Sequence, residues 1–382
     1  VDLDLTPDQE ALVEAARAVL AATCSPGAAR ARTEALLAGR PRPADPLWAR
    51  AVELGWCALG VPEAHGGLGL GAVEAALLAE ELGRALAPGP LLPTLAVLTP
   101  ALRESAAAES PAAAVAGERL AAVASGACTG TLAVAEAGGA LDPAVWRTTA
   151  VATTGGAVRL TGEKEMVWEA PTCGELVVGA VAADGEPGVY LVPAAAATVT
   201  EVATVDGSRT FARVRLDGVE VPADRVLAPP GPGSGVLERV VQHATLAAAM
   251  DAVGAATAAF EATVAYARER EQFGRPIGSF QAIKHKAADM LVALERARAL
   301  GRFAALCVAE DDDRRALAVA MAKAAAGDVA ARVGRETIQV HGGIGFTWEH
   351  DAHLYVRRLL ADDALFGTAP AQRARVADLL GV

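Results

Sequence analysis

An α+β chain with a helical N-terminal domain, a middle antiparallel β domain and a C-terminal four-helix bundle is predicted by three changes of texture along 382 residues. Residues 1–129 carry helix caps and helical periodicity; residues 130–230 lose that periodicity and carry hairpin signals; residues 231–382 return to long helical runs. Hydrophobic residues are 53% and charged residues 21%, so the chain can bury a large core.

The first helix starts at a capping box, Thr6-Pro7-Asp8-Gln9, and puts Leu12, Val13, Ala16, Val19 and Leu20 on one apolar face. A second amphipathic helix is expected at about 46–54 and a longer one at 73–84. The glycine-rich stretch 61–71 resembles a phosphate loop, but no strand precedes it, so the dinucleotide fingerprint lacks its context. Residues 105–127 are low in complexity and weakly specified. In the middle, strands at 148–153 and 157–160 flank Gly155-Gly156, and strands at 176–182 and 189–192 flank Asp184-Gly185. Asp206-Gly207 and Asp217-Gly218 punctuate later strands, and the Pro-Gly-rich stretch 228–235 closes the domain. Helices then follow at 236–268, through Met290 to about Ala309, and at 314–340, with a short one ending at Leu380. In sequence they read as an up-and-down bundle.

A net charge of −12 argues against nucleic acid as a partner. Cys24, Cys57, Cys128, Cys173 and Cys307 are scattered without CxxC spacing, which suits free thiols in a reducing cytoplasm. No secretory signal precedes Thr6, and the apolar runs are broken by charges, so no membrane span is expected. His341, His350, Asp351 and His353 lack metal-ligand spacing and are read as structural, with no metal site.

The most informative stretch is 266–290, YAREREQFGRPIGSFQAIKHKAADM. Its opening helix should break at Phe273-Gly274-Arg275-Pro276. A second helix carries Phe280, Ile283, Ala287 and Met290 at helical spacing. A corner with solvated arginines is one reading. The other rests on Arg270, Phe273, Phe280 and Gln281: a guanidinium, aromatic faces and an amide at a helix break suit a nucleotide pyrophosphate. A second block, 339–349, reads QVHGGIGFTWE and is followed by Asp351, Tyr355, Arg357 and Arg358.

Both blocks resemble signatures of the acyl-CoA dehydrogenase family, in which the first reads YaxxRxQFGxPIxxFQ. The resemblance extends over nearly the whole chain in the family's order. It implies a helical domain, a β-barrel-like middle domain and a helical bundle. It also implies FAD, an acyl-CoA substrate and electron-transfer flavoprotein as acceptor. In the family a glutamate takes the α proton of the thioester while FAD takes the β hydride. These enzymes are usually dimers of dimers, and each flavin is built by two chains. One chain supplies the isoalloxazine pocket and the base; its neighbour reaches across to the pyrophosphate and adenosine.

The resemblance places the reaching-across contacts at Arg270, Gln272, Phe273, Ile277, Phe280, Gln281, Gln339, Gly342 and Gly343. The pocket half departs from the family. The TEPGAGSD loop reads AEAGGALD at 135–142, and the (F/W)-I-(S/T)-N strand reads Met166-Val167-Trp168-Glu169, an indole replacing a flavin-bonding hydroxyl. The YEGT motif reads Leu365-Phe366-Gly367-Thr368, so phenylalanine stands where the glutamate belongs. The alternative base position falls at Ala244, beside Thr245. Asp362 and Asp363 lie a turn before Phe366 and are not assigned the role; no catalytic residue is expected.

This pattern implies the non-catalytic subunit of an α2β2 acyl-CoA dehydrogenase, as in actinobacterial steroid side-chain breakdown. Its partner would be a second family chain carrying the glutamate. A homomeric dehydrogenase with an unrecognised base is one alternative, and a non-redox acyl-CoA-binding or scaffold protein is another. A flavin monooxygenase on this fold would need an open isoalloxazine pocket, which Trp168 opposes.

Overall fold

A computed structural model describes residues 3–43, 45, 47–139, 141–231 and 235–382. The N-terminal third is helical, as the caps predict. Helix α1 (Pro7–Thr23) starts where Thr6 Oγ1 accepts from Gln9 N at 3.3 Å and Gln9 Oε1 accepts from Thr6 N at 3.1 Å. Helices α2 (Pro26–Leu37), α3 (Leu47–Glu53) and α4 (Ala72–Arg84) follow. Pro46, the expected start of α3, lies outside the described residues. A continuous helical stretch then combines α5 (Leu91–Pro93), a π-helical segment (Thr94–Leu98) and α6 (Thr99–Ala106). Residues 105–127 are better specified than their composition predicts: α7 (Ala113–Ala124) buries Ala116, Leu120 and Val123.

Among the described residues, eight strands form the middle sheet: β1 (Gly130–Ala133), β2 (Thr149–Ala152), β3 (Val158–Trp168), β4 (Glu175–Val181), β5 (Pro187–Pro193), β6 (Thr198–Val202), β7 (Phe211–Val221) and β8 (Val226–Ala228). Their order is β6-β7-β3-β2-β4-β5-β8, with β1 also paired to β4. The hairpins at Gly155-Gly156 and Asp184-Gly185 form as expected, β2 with β3 and β4 with β5. The sheet adds parallel pairings of β1 and β2 with β4 to its antiparallel ladder. Asp217-Gly218 ends no strand. Leu160 pairs Val219 and Thr161 pairs Asp217, so Gly218, at φ 66°, is a bulge within β7.

The C-terminal part holds α8 (Val236–Glu269), α9 (Gln281–Ala309), α10 (Arg315–His341), α11 (Ala352–Ala364) and α12 (Ala369–Leu380). Residues 232–234 of the expected linker lie outside the described residues. Helix α8 is the axis of the molecule and packs closely on α4. A Cβ at Gly254 would stand 1.7 Å from Glu80 O, and one at Gly83 2.0 Å from Asp251 O. Only glycine permits that approach.

Where the sheet meets α8 and α11, the core is ionic. Arg209 Nη2 binds Asp251 at 2.6 Å and its Nη1 binds Asp362 at 2.5 Å. Arg358 Nε binds Asp206 at 2.8 Å, while its Nη2 donates to Ser208 Oγ at 2.6 Å and to the carbonyl of Ala87 at 3.3 Å. Every one of these charged groups is buried. Burial pushes Asp362 well above the usual carboxylate range, outweighing Arg209. Burial acts on Asp251 too, but there Arg209 and Arg358 prevail and hold its pKa down. The two arginines are thus set among Asp206, Asp251 and Asp362.

Candidate functional site: an exposed hairpin and a closed pocket

The chain leaves α8 at Glu269, earlier than the predicted break at Phe273-Gly274-Arg275-Pro276. Instead of a plain helix–turn–helix corner, β9 (Glu271–Gln272) and β10 (Arg275–Pro276) form a small hairpin. Its turn residues Phe273 and Gly274 have φ of 55° and 76°, the left-handed pair of a tight primed turn. Arg270 N donates to Tyr266 O at 2.9 Å and Ile277 N to Arg270 O at 2.8 Å, which fixes the backbone on both sides of the hairpin.

The predicted contacts then fall as follows. The guanidinium of Arg270 is exposed and the Phe273 ring is 91% exposed. Gln272 is exposed and its Nε2 donates to Glu271 O at 2.8 Å. Ile277 opens a single helical turn and is half-buried. Phe280 caps α9 rather than lying inside it, packs edge-on to Phe273 at 6.1 Å and carries Arg275 4.2 Å above its ring. Gln281 opens α9 and is exposed. Gln339 is exposed near the end of α10, and Gly342 and Gly343 follow with no atom within 4 Å of a built Cβ.

The end of α8 and the end of α10 are joined by a ring stack. Tyr266 lies 4.4 Å from His341, and His341 lies 4.5 Å from His350. His341 Nδ1 also sits 2.7 Å from Thr337 O. Sequence spacing alone does not locate this stack, although Tyr266 and His341 stand inside the two motifs.

The loop around Phe366 is tightly held. Phe366 is buried with φ 53°. Lys323 Nζ donates to the carbonyls of Asp363 and Gly367 at 2.9 Å each, and Gln372 Nε2 to Phe366 O at 2.7 Å. Burial pushes the Lys323 pKa down to about 8. Neither nearby aspartate is free to act. Asp362 is bound to Arg209, and Asp363 Oδ1 accepts from Ala369 N at 3.0 Å. Ala244 is fully buried, and the Thr245 hydroxyl is spent on Val241 O at 2.7 Å.

The loop at 135–142 is anchored by its glutamate: Glu136 accepts from Arg147 N, Thr148 N and Lys164 Nζ at 2.6, 3.0 and 2.7 Å. Ala140 of that loop lies outside the described residues. Trp168 is 3% exposed, and Arg209 stands 4.9 Å above its ring. The space beside the indole, bounded by Leu82, Leu91 and Glu169, is a void of about 10 Å³. Glu169, at the family's asparagine, is itself buried and bound to Thr210 N and Oγ1 at 3.1 and 2.5 Å. A void of this size is smaller than a tricyclic ring, while the hairpin and the two glycines are open to solvent. A separate cavity of about 660 Å³ is lined by Phe366, with Leu141, Gln242, Thr245 and Arg375 among others.

The fold and this site define a flavoprotein dehydrogenase scaffold. The chain belongs to the acyl-CoA dehydrogenase family of FAD-dependent oxidoreductases. Residues 6–110 match the family's N-terminal domain and 231–381 its C-terminal domain. The acyl-CoA dehydrogenase IpdE2 of Mycobacterium tuberculosis is 34% identical over 358 residues, covering 93% of this chain and 92% of that protein. Acyl-CoA dehydrogenase FadE34 of the same organism is 35% identical over 326 residues, 82% of this chain, but the match spans only 39% of its own length. Among solved structures, the ChsE4–ChsE5 complex from M. tuberculosis superposes with a TM-score of 0.87 at 28% identity, covering 100% of this chain and 99% of that one. A variant of the Tcur3481–Tcur3483 steroid ACAD superposes with a TM-score of 0.83 at 31% identity, covering 98% of each chain.

Proposed function

We propose that this chain is the non-catalytic subunit of an α2β2 acyl-CoA dehydrogenase and supplies trans contacts to an FAD whose ring lies in a partner chain. The observation that carries the reading is the contrast within one chain: Trp168 leaves no room for a ring, Phe366 replaces the base, and Arg270 and Phe273 stay exposed. Arg270, Gln272, Phe273, Ile277, Phe280, Gln281, Gln339, Gly342 and Gly343 would line the pyrophosphate and adenosine half. FAD, when bound, supplies hydride acceptance; this chain binds and orients, and holds no proton for the reaction.

The exposed apolar side chains Phe273, Phe346 and Val292 suit burial against a second family chain. Two-component relatives such as ChsE4–ChsE5 support that assembly, and the steroid ACAD supports a steroid side-chain thioester as substrate. Electron-transfer flavoprotein is the proposed acceptor and the cytoplasm the proposed location. The proposed domain division is 1–129, 130–230 and 231–382.

Flavin absorbance decides the matter. The chain alone should be colourless and inactive. Co-expressed with a family member that carries the (F/W)-I-(S/T) strand and the glutamate, it should yield a yellow, active tetramer. A yellow, active homomer overturns the proposal. The cavity of about 660 Å³ favours one second reading, a non-redox acyl-CoA binder. That reading expects the chain alone to bind acyl-CoA tightly with no flavin and no partner.

A further inference from the structure

The two motifs that carry the proposed trans contacts are far apart in sequence, and one group of rings joins them. Tyr266, in the last turn of α8, accepts from Arg270 N at 2.9 Å through its carbonyl. Its ring lies 4.4 Å from that of His341, with 25° between the planes. His341 ends α10, two residues after Gln339 and directly before Gly342 and Gly343. His350 completes the group, 4.5 Å from His341 and edge-on to Tyr266 at 6.0 Å.

The hydrogen bonds fix where the protons sit. A carbonyl can only accept, so His341 Nδ1 donates to Thr337 O across 2.7 Å. The proton-free nitrogen of that ring is then Nε2, which is buried and has no hydrogen-bond partner among the described residues. A second proton there would make a buried imidazolium with a stranded N–H, which is costly. His350 Nδ1 accepts from Ala352 N at 3.1 Å, so it too carries no proton in this arrangement.

No carboxylate among the described residues is set against His341. It meets Tyr266 from α8 and His350 from the turn before α11. Arg268, Glu269 and Arg270, which follow Tyr266, are exposed. Of the carboxylates flanking His350, Asp351 binds Arg30 of α2 at 2.5 Å and Glu349 is exposed. On α11, His353 and Arg357 are held against Trp348. Burial pushes the His341 pKa down, the bond to Thr337 opposes this, and His350 adds to it.

We propose that His341 is a positioning residue: as a neutral ring against Tyr266 and His350, it clasps Gln339, Gly342 and Gly343 to the root of the Arg270 hairpin, and acid opens the clasp. The effect on flavin rests on the trans role proposed above; the clasp itself does not. The closed clasp binds no proton at His341 and the open one does. Closure is therefore complete above the ordinary histidine pKa of about 6.5 and weakens as pH falls below it. Between pH 7.5 and pH 5.5 the open state should gain about tenfold.

Backbone-amide exchange of the full chain at pH 7.5 and pH 5.5, corrected for intrinsic rates, tests this. Residues 338–352 should open about tenfold more at pH 5.5, relative to residues 318–330 of α10 as internal reference. His341→Phe keeps a ring against Tyr266 and removes the titrating nitrogen, so it should lose most of that gain. His341→Ala should be open at both pH values. The proposal is overturned if wild type shows no gain over the reference, or if His341→Phe gains as much as wild type. Should His341→Phe fail to fold, NMR titration of the His341 ring in wild type decides: a ring that protonates near pH 6.5 while 338–352 stays closed overturns the proposal. In the co-expressed complex, wild type should shed flavin at pH 5.5 and His341→Phe should hold it; equal retention by wild type at both pH values overturns the positioning role. A complex that never binds flavin refutes the subunit reading instead, and the exchange result then decides the clasp alone.

Discussion

Asp251 and Asp362 face the same two arginines and are driven in opposite directions. The depressed Asp251 stabilises the fold above the unfolded carboxylate pKa of about 4, and that stability is lost as pH falls through its folded value. The raised Asp362 does the reverse. It holds a proton that the unfolded chain releases, so its contribution is complete below about pH 4 and fades as pH rises. Asp251→Asn should therefore destabilise at pH 7 by about 3–5 kcal/mol, because it strands buried guanidinium charge. Asp362→Asn mimics the protonated carboxyl and should be neutral or stabilising at pH 7, its advantage shrinking towards pH 4. Urea unfolding of both variants at pH 7 and pH 4 measures this; equal losses at pH 7 would refute the division of roles. Phe366 is a simpler case. Phe366→Glu places a carboxylate in a loop already shaped by Lys323 and Gln372, while the space beside Trp168 stays at about 10 Å³. The isolated variant should show no flavin absorbance and no turnover; measurable turnover would mean that a ring can enter beside Trp168. Residues at this scale were unevenly legible. Phe366 and Trp168 stood out because each departs from the residue type that the resemblance leads one to expect. The ionic core did not, because residues 206–209, 251 and 358–362 come from distant segments and share no spacing signal.

Elements were legible where periodicity or turn chemistry is local. The capping box of α1, the hairpins at Gly155-Gly156 and Asp184-Gly185 and the long α8 all formed as expected. The hairpin after α8 was missed because its strands have two residues each, too short for a period-2 pattern to register. Helix α7 was missed because alanine dominates both of its faces and blurs the amphipathic stripe. The α4–α8 crossing gives a sharp test. In an exposed helix Gly→Ala gains about 1 kcal/mol from propensity. At Gly254 the new methyl would collide with the backbone oxygen of Glu80, which cannot swing aside as a side chain can. Overpacking should win, and Gly254→Ala should lose about 1–3 kcal/mol net in denaturant unfolding. A stabilised Gly254→Ala would show that the two helices separate at little cost.

At the scale of the whole molecule, most residues of the proposed trans contacts are turned outward and those at the proposed ring and base positions are turned inward. Arg270, Gln272, Phe273 and Gln339 are all exposed, while Trp168 and Phe366 are sealed in the core. The α–β–α order was visible in the sequence because each part has its own texture. The joint between the parts was not, because helical and strand periodicities describe faces within an element and not the charges that pin one layer to another. The outward-facing arginine gives the decisive assembly-level expectation. A guanidinium fork can hold two pyrophosphate oxygens, and losing one charge-assisted pair costs roughly 1.5–3 kcal/mol. That is about ten- to a hundredfold in affinity. In the co-expressed α2β2 complex, two flavins should be bound, one per catalytic chain. Arg270→Ala should leave the tetramer assembled, since this side chain makes no hydrogen bond among the described residues, yet the complex should shed flavin on gel filtration. Arg270→Lys keeps the charge without the fork and should restore binding only in part. Flavin absorbance per tetramer, with mass measured by light scattering, reads both properties at once. Two tightly held flavins in the Arg270→Ala tetramer would make the arginine an ordinary solvated corner of the hairpin and remove the trans contact from this chain's role.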